Sequence, residues 1–123
     1  MKLTKKTIEN EEVYFENGVK KYTHYKDSEG FEIWKEYDKN DNVIHSKDSD
    51  GSETWREFDK NNNEIHYKNS RGSEYWSEYD KNNNEIHYKS SNGDEYWSDD
   101  HPNNPNYIGV EVDIEPFKFN TEK

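Results

Sequence analysis

The sequence predicts an all-β protein, an elongated antiparallel meander of 21-residue β-hairpin repeats in a largely single-layer sheet with a C-terminal capping strand. Three observations predict it. Gly30, Gly51, Gly72 and Gly93 recur every 21 residues, and Trp34, Trp55, Trp76 and Trp97 keep the same step; a fixed period of this size marks a repeat architecture. Each unit is broken by an asparagine-rich run and by a glycine, so its segments are too short for packed helices but the right length for strands. Only 27% of the residues are hydrophobic, which argues against a thick core, yet 15% are aromatic and sit at fixed positions, unlike a disordered composition.

Taken in order, residues 1–11 read as a polar, irregular lead-in. Residues 12–100 form the repeat sheet, and residues 101–123 a loop and the capping strand. Val13 to Glu16 is a short strand, and Asn17-Gly18 is the dipeptide that most favours a type I′ hairpin. The segment Tyr22 to Glu29 matches Glu85 to Asn92, so His24 opens a series with His45, His66 and His87. In each full unit an aromatic strand such as Gly72 to Asp80 is followed by Lys81-Asn82-Asn83-Asn84 and a second strand, Glu85 to Ser90. Two short connections per unit make neighbouring strands antiparallel. Beyond the loop Ser98 to Asn106, Ile108, Val110, Val112 and Ile114 alternate with polar residues and glycine, a one-sided strand expected to cap the last repeat.

The register depends on the turns. A two-residue Arg71-Gly72 turn pairs Ser70 with Ser73 and sets Tyr67 opposite Trp76, with Ile65 and Glu78 on that face. Tyr75, Ser77 and Tyr79 then face Lys68, His66 and Glu64 on the other side. A slip of one residue exchanges these partners.

The formal charge is −11, from 28 acidic and 17 basic residues. Such a surface disfavours nucleic acid and anionic membrane and favours a basic protein partner, although solubility alone also explains acidic surfaces. Without cysteine there is no disulfide or thiolate site. The basic start Met1 to Ile8 is followed by Glu9-Asn10-Glu11-Glu12 in place of an apolar segment, so a cytoplasmic location is expected.

Tyr37-Asp38, Phe58-Asp59 and Tyr79-Asp80, each followed by a polar turn, a second strand and a glycine, resemble the YD repeat of RHS-type proteins. The resemblance spans roughly residues 12–100 and rests on short motifs; it implies strips of β-hairpins. This chain departs from it in the turns, where Asp41-Asn42, Asn62-Asn63 and Asn83-Asn84 stand in place of the usual Gly-Asn or Gly-Arg. Four to five units are too few to enclose cargo as large RHS proteins do. Asn92-Gly93-Asp94-Glu95-Tyr96-Trp97 is more weakly similar to choline- and glucan-binding hairpin repeats, whose Gly-Trp opening is missing here.

Several constellations invite chemistry. Equivalent histidines two strands apart are separated by about 10 Å, too far to share a metal ion, so half-exposed ladder histidines are expected. Asp59-Lys60-Asn61-Asn62-Asn63 and its copy at Asp80 imitate the first positions of a calcium loop but lack its glycine and terminal glutamate, which favours a turn. The carboxylates beside Trp55 and Trp76 have no cleft to raise the pKa of one of them. No cofactor or metal is expected, and no catalytic residue is assigned. The remaining candidate is an acidic aromatic stripe: Trp34, Trp55, Trp76 and Trp97 with Glu53, Glu57, Glu74 and Glu78. The same indoles could instead pack internally on Ile44, Ile65 and Ile86.

The expected function is a non-enzymatic protein-binding module, in kind an acidic bacterial immunity protein that covers a basic toxin. The alternatives are a surface array for choline-like groups or glycans, and a structural repeat that self-assembles through its sheet edges. A monomer or an edge-to-edge homo-oligomer fits these readings.

Overall fold

A computed structural model describes residues 2–99 and 101–109. Among them lie ten strands and no helix: β1 (Thr4–Ile8), β2 (Glu11–Glu16), β3 (Val19–Lys26), β4 (Glu32–Tyr37), β5 (Val43–Asp48), β6 (Glu53–Phe58), β7 (Glu64–Asn69), β8 (Glu74–Tyr79), β9 (Glu85–Ser90) and β10 (Glu95–Trp97). They form one antiparallel sheet in chain order, so every strand pairs with its sequence neighbours. The chain is the all-β hairpin meander that its periodicity predicts. The lead-in differs from expectation: Thr4 to Ile8 pairs with Glu11 to Phe15 as an edge strand. Thr4-Lys5-Lys6-Thr7 carries no apolar signal ahead of Ile8, and the template of β2 supplies the order instead. Of the expected capping strand, Ile108 is described, lies outside any strand and is 97% exposed; the remainder, from Val110 onward, lies outside the described residues.

Two kinds of turn share one construction. At Asp59 the backbone N–H of Asn62 donates to the Asp59 carbonyl, and the Asp59 N–H donates to Asn63. The Asp59 carboxylate accepts the N–H groups of Asn61 and Asn63, and Asn62 takes a φ of 64°. At Asn69 the same bonds recur, with Gly72 at φ 91° in the left-handed position. Each is a three-residue loop, a type I turn followed by one left-handed residue. The side chain before the loop substitutes for ladder bonds, as an Asx cap does. The aspartate of each Tyr-Asp or Phe-Asp pair is therefore the turn cap. At Asn17-Gly18 both residues have positive φ, the two-residue I′ turn expected there.

The three-residue loops overturn the expected register. Tyr67 faces Tyr75 and His66 faces Trp76, one residue away from the pairing that a two-residue Arg71-Gly72 turn imposes. That turn needs a positive φ at its first residue, which an arginine resists; Gly72 alone takes it. Each unit also carries a bulge. Glu57 pairs with His66 and Phe58 with Glu64, which leaves Ile65 as the extra residue. Ile44 and Ile86 hold the same position in β5 and β9.

The sheet has little interior. Among the described residues only Val13, Tyr37 and Thr23 are buried, and no side chain is completely so. One face instead covers itself with side chains lying across the strands. Tyr67 stacks on Tyr75 at 4.8 Å, and the Arg56 guanidinium lies 4.9 Å above Tyr67. Arg56 donates to Glu64 at 2.7 Å, and the Tyr75 hydroxyl donates to the other oxygen of Glu64 at 2.7 Å. Burial, reinforced by Glu64, pushes the Tyr75 phenol up to about 12. Successive units are tied at both ends. The Asn63 amide donates to the Asn83 side chain at one end, and Ser70 Oγ accepts the Glu53 N–H at the other.

Candidate functional site

The second face carries a lattice set by register. Across five strands run Glu36, His45, Trp55, Lys68 and Glu74, each opposite the next. The row Glu57, His66, Trp76, Lys89 and Glu95 repeats it, and Glu12, His24, Trp34, Lys47 and Glu53 precede it. Each unit shifts the row by two residues. Consecutive tryptophans thus run obliquely at about 12 Å, from ~6.8 Å along the strand and ~9.6 Å across it.

All eight residues of the predicted stripe lie on this face, because Glu53, Trp55 and Glu57, like Glu74, Trp76 and Glu78, alternate along single strands. Their surroundings differ. Trp34, Trp55 and Trp76 keep 37–39% of their surface exposed. Each stacks on a histidine of the preceding strand: His24 at 5.2 Å, His45 at 5.5 Å and His66 at 5.5 Å, with planes within 13° of parallel. The indoles therefore pair with the histidine series, while Ile44, Ile65 and Ile86 occupy the bulges. Trp97 stands apart. It packs against His87 at 3.6 Å and His101 at 4.2 Å, and the Asn104 amide donates to its carbonyl at 2.5 Å.

The carboxylates divide in the same way. Glu53 and Glu74 turn inward to His45 and His66, at 2.5 Å and 2.6 Å, and are about one-quarter exposed. Glu57 and Glu78 remain 70% and 58% exposed, the first 3.3 Å from His66 and the second 3.4 Å from His87. Glu78 also lies 3.6 Å from His101. The hydrogen bond to Glu74 raises His66 above its usual 6.5 against the opposing effect of burial, and Glu57 adds to the rise. At the N-terminal end of the face a shallow groove of about 310 Å³ is lined by Leu3, Tyr14, Tyr22, His24 and Trp34.

The Asp59 and Asp80 turns do not present a calcium-type array to solvent. Backbone N–H groups from Asn63 and Asn84 chiefly hold these carboxylates below the usual aspartate value, with bonds from Asn61 and Asn82 assisting. Sequence reasoning placed the stripe but missed the histidines as its supports, and it missed His101. The constant 21-residue offset of His and Trp was the available signal, and its meaning required the register. No protein-family model and no curated protein matches this chain.

Proposed function

We propose that this chain is a non-enzymatic protein-binding module whose Trp–Glu face docks a basic protein, in the manner of a bacterial immunity protein covering a toxin. The observation that carries this reading is the row of part-exposed indoles Trp34, Trp55 and Trp76 interleaved with the solvent-facing carboxylates of Glu57 and Glu78. Tryptophans of this kind anchor interfaces, and carboxylates beside them steer and orient Lys or Arg side chains. Repetition supports a non-catalytic role, since an active centre is one unique place and here each unit offers the same groups. The YD-like motifs fit a hairpin scaffold and carry no activity of their own.

The histidine stacks bear on the alternatives. Stacking of sugars or quaternary amines needs open ring faces, and one face of each of these indoles lies against imidazole. Edge-to-edge assembly through β10 competes with Asn104 on the Trp97 carbonyl.

Immobilised protein and a Trp55→Ala/Trp76→Ala variant, used side by side to capture partners from the source lysate, test the reading. A basic protein retained by the first and lost from the second is expected. Equal retention on both, or no basic protein on either, overturns it.

A further inference from the structure

His66 receives a carboxylate from each neighbouring strand. Its Nε2 lies 2.6 Å from Glu74 of β8, and its Nδ1 lies 3.3 Å from Glu57 of β6. A neutral imidazole has one N–H and can donate to only one of them, whereas the imidazolium donates to both. Trp76 of β8 stacks on the ring. Lys68, two residues along β7, and Glu78, two beyond Trp76, are the remaining charges presented on this face beside it. Glu74 is drawn in, but Glu57 is 70% exposed and belongs to the proposed docking stripe. One carboxylate thus has two competing uses.

We propose that His66 is a proton-operated gate on the Trp–Glu stripe: protonated, it ties Glu57 into a bridge from β6 through β7 to β8, and deprotonated, it releases that carboxylate to a cationic partner. The gate rests on the docking reading above. Its direction follows from charge. The imidazolium neutralises Glu57 and adds a positive charge where the partner's cation must sit, so proton and partner oppose each other. The hydrogen bond to Glu74 and the lesser one to Glu57, set against burial, raise the ring above 6.5, and histidine is the side chain that ordinarily changes charge near physiological pH. The arrangement recurs at His24, between Glu12 and Glu32 at 3.2 Å and 2.8 Å.

Bridge and gate are tested separately. NMR titration of the intact protein and of its Glu57→Gln and Glu74→Gln variants reads the bridge. His66 is expected to titrate above 6.5 and to fall toward it in both variants; titration at or below that value in the unmodified protein overturns the bridge. An oligo-arginine peptide serves as the cationic probe for the gate, with calorimetry at fixed ionic strength between about pH 8.5 and about pH 5.5. Its affinity is expected to fall about fivefold or more on acidification, and to fall less in a His66→Gln variant that keeps the native circular dichroism. Equal falls in the two proteins overturn the gate. A probe that binds at neither pH overturns the docking reading and the gate together, and the titration still decides the bridge.

Discussion

Trp76 lies against His66 across the β7–β8 boundary, ring centroids 5.5 Å apart and planes 13° from parallel. The pair couples an interface-type residue to a titratable one, and the coupling repeats with the 21-residue step at Trp34 and Trp55. Protonation of His66 is therefore expected to register in stability as well as in the proposed docking.

A group whose pKa is raised on folding adds stability below its unfolded value and loses it as pH rises through the folded value. His66 is raised above 6.5. The thermal midpoint is expected to decline as pH climbs through that range, with a shallower decline in His66→Gln. Differential scanning calorimetry at closely spaced pH values reads the two slopes, and parallel slopes would show that His66 contributes nothing.

The turn aspartates act at the opposite end of the scale. Asp59 and Asp80 are held below 3.8 by backbone N–H groups, so their contribution is present above 3.8 and is lost as pH falls through their folded values. Urea midpoints are expected to drop on acidification in that region. Asp59→Asn keeps the acceptor oxygen but does not titrate, and it should flatten part of the drop.

Gly51 sits at φ 90° with nothing within 4 Å of the position a Cβ would occupy. Gly51→Ala thus tests backbone strain free of any clash, and a cost of about 1 kcal/mol or more is expected in urea unfolding. Asn62 holds the left-handed position of the other turn at φ 64°. Asn62→Gly relieves that conformation but removes the exposed side-chain oxygen that accepts the Asn42 amide, and the two opposing effects are expected to leave the midpoint within about 0.5 kcal/mol of the parent.

Thr23 and Tyr37 share a hydrogen bond of 3.2 Å between hydroxyls in the most buried part of the sheet. Tyr37→Phe strands the Thr23 hydroxyl and is expected to cost about 1–2 kcal/mol. Adding Thr23→Val removes the stranded group and should recover most of that loss. A double-mutant cycle with no recovery would place the effect elsewhere.

Excision of residues 52–72 joins Gly51 to Ser73 and preserves the turn. Each unit contacts its sequence neighbours, so the shortened chain is expected to fold with two fewer strands, a smaller denaturant m-value and a lower midpoint. Collapse to an unfolded spectrum would mean that one unit is indispensable.

The sequence by itself determined the strand meander, its period and the common face of Glu53, Trp55 and Glu57, as of Glu74, Trp76 and Glu78. These are local properties: glycine and asparagine accept left-handed backbone, and side chains alternate along a strand whatever pairs with it. What lies beside each indole was decided only by the tertiary structure. Asn69 caps its turn and Gly72 alone takes positive φ, which makes the loop three residues long and sets His66 opposite Trp76 in place of Tyr67. The bulge at Ile65 then brings Glu57 opposite His66. Register is the sum of such closures along the chain, and a shift of one residue changes every cross-strand partner while leaving every local pattern intact.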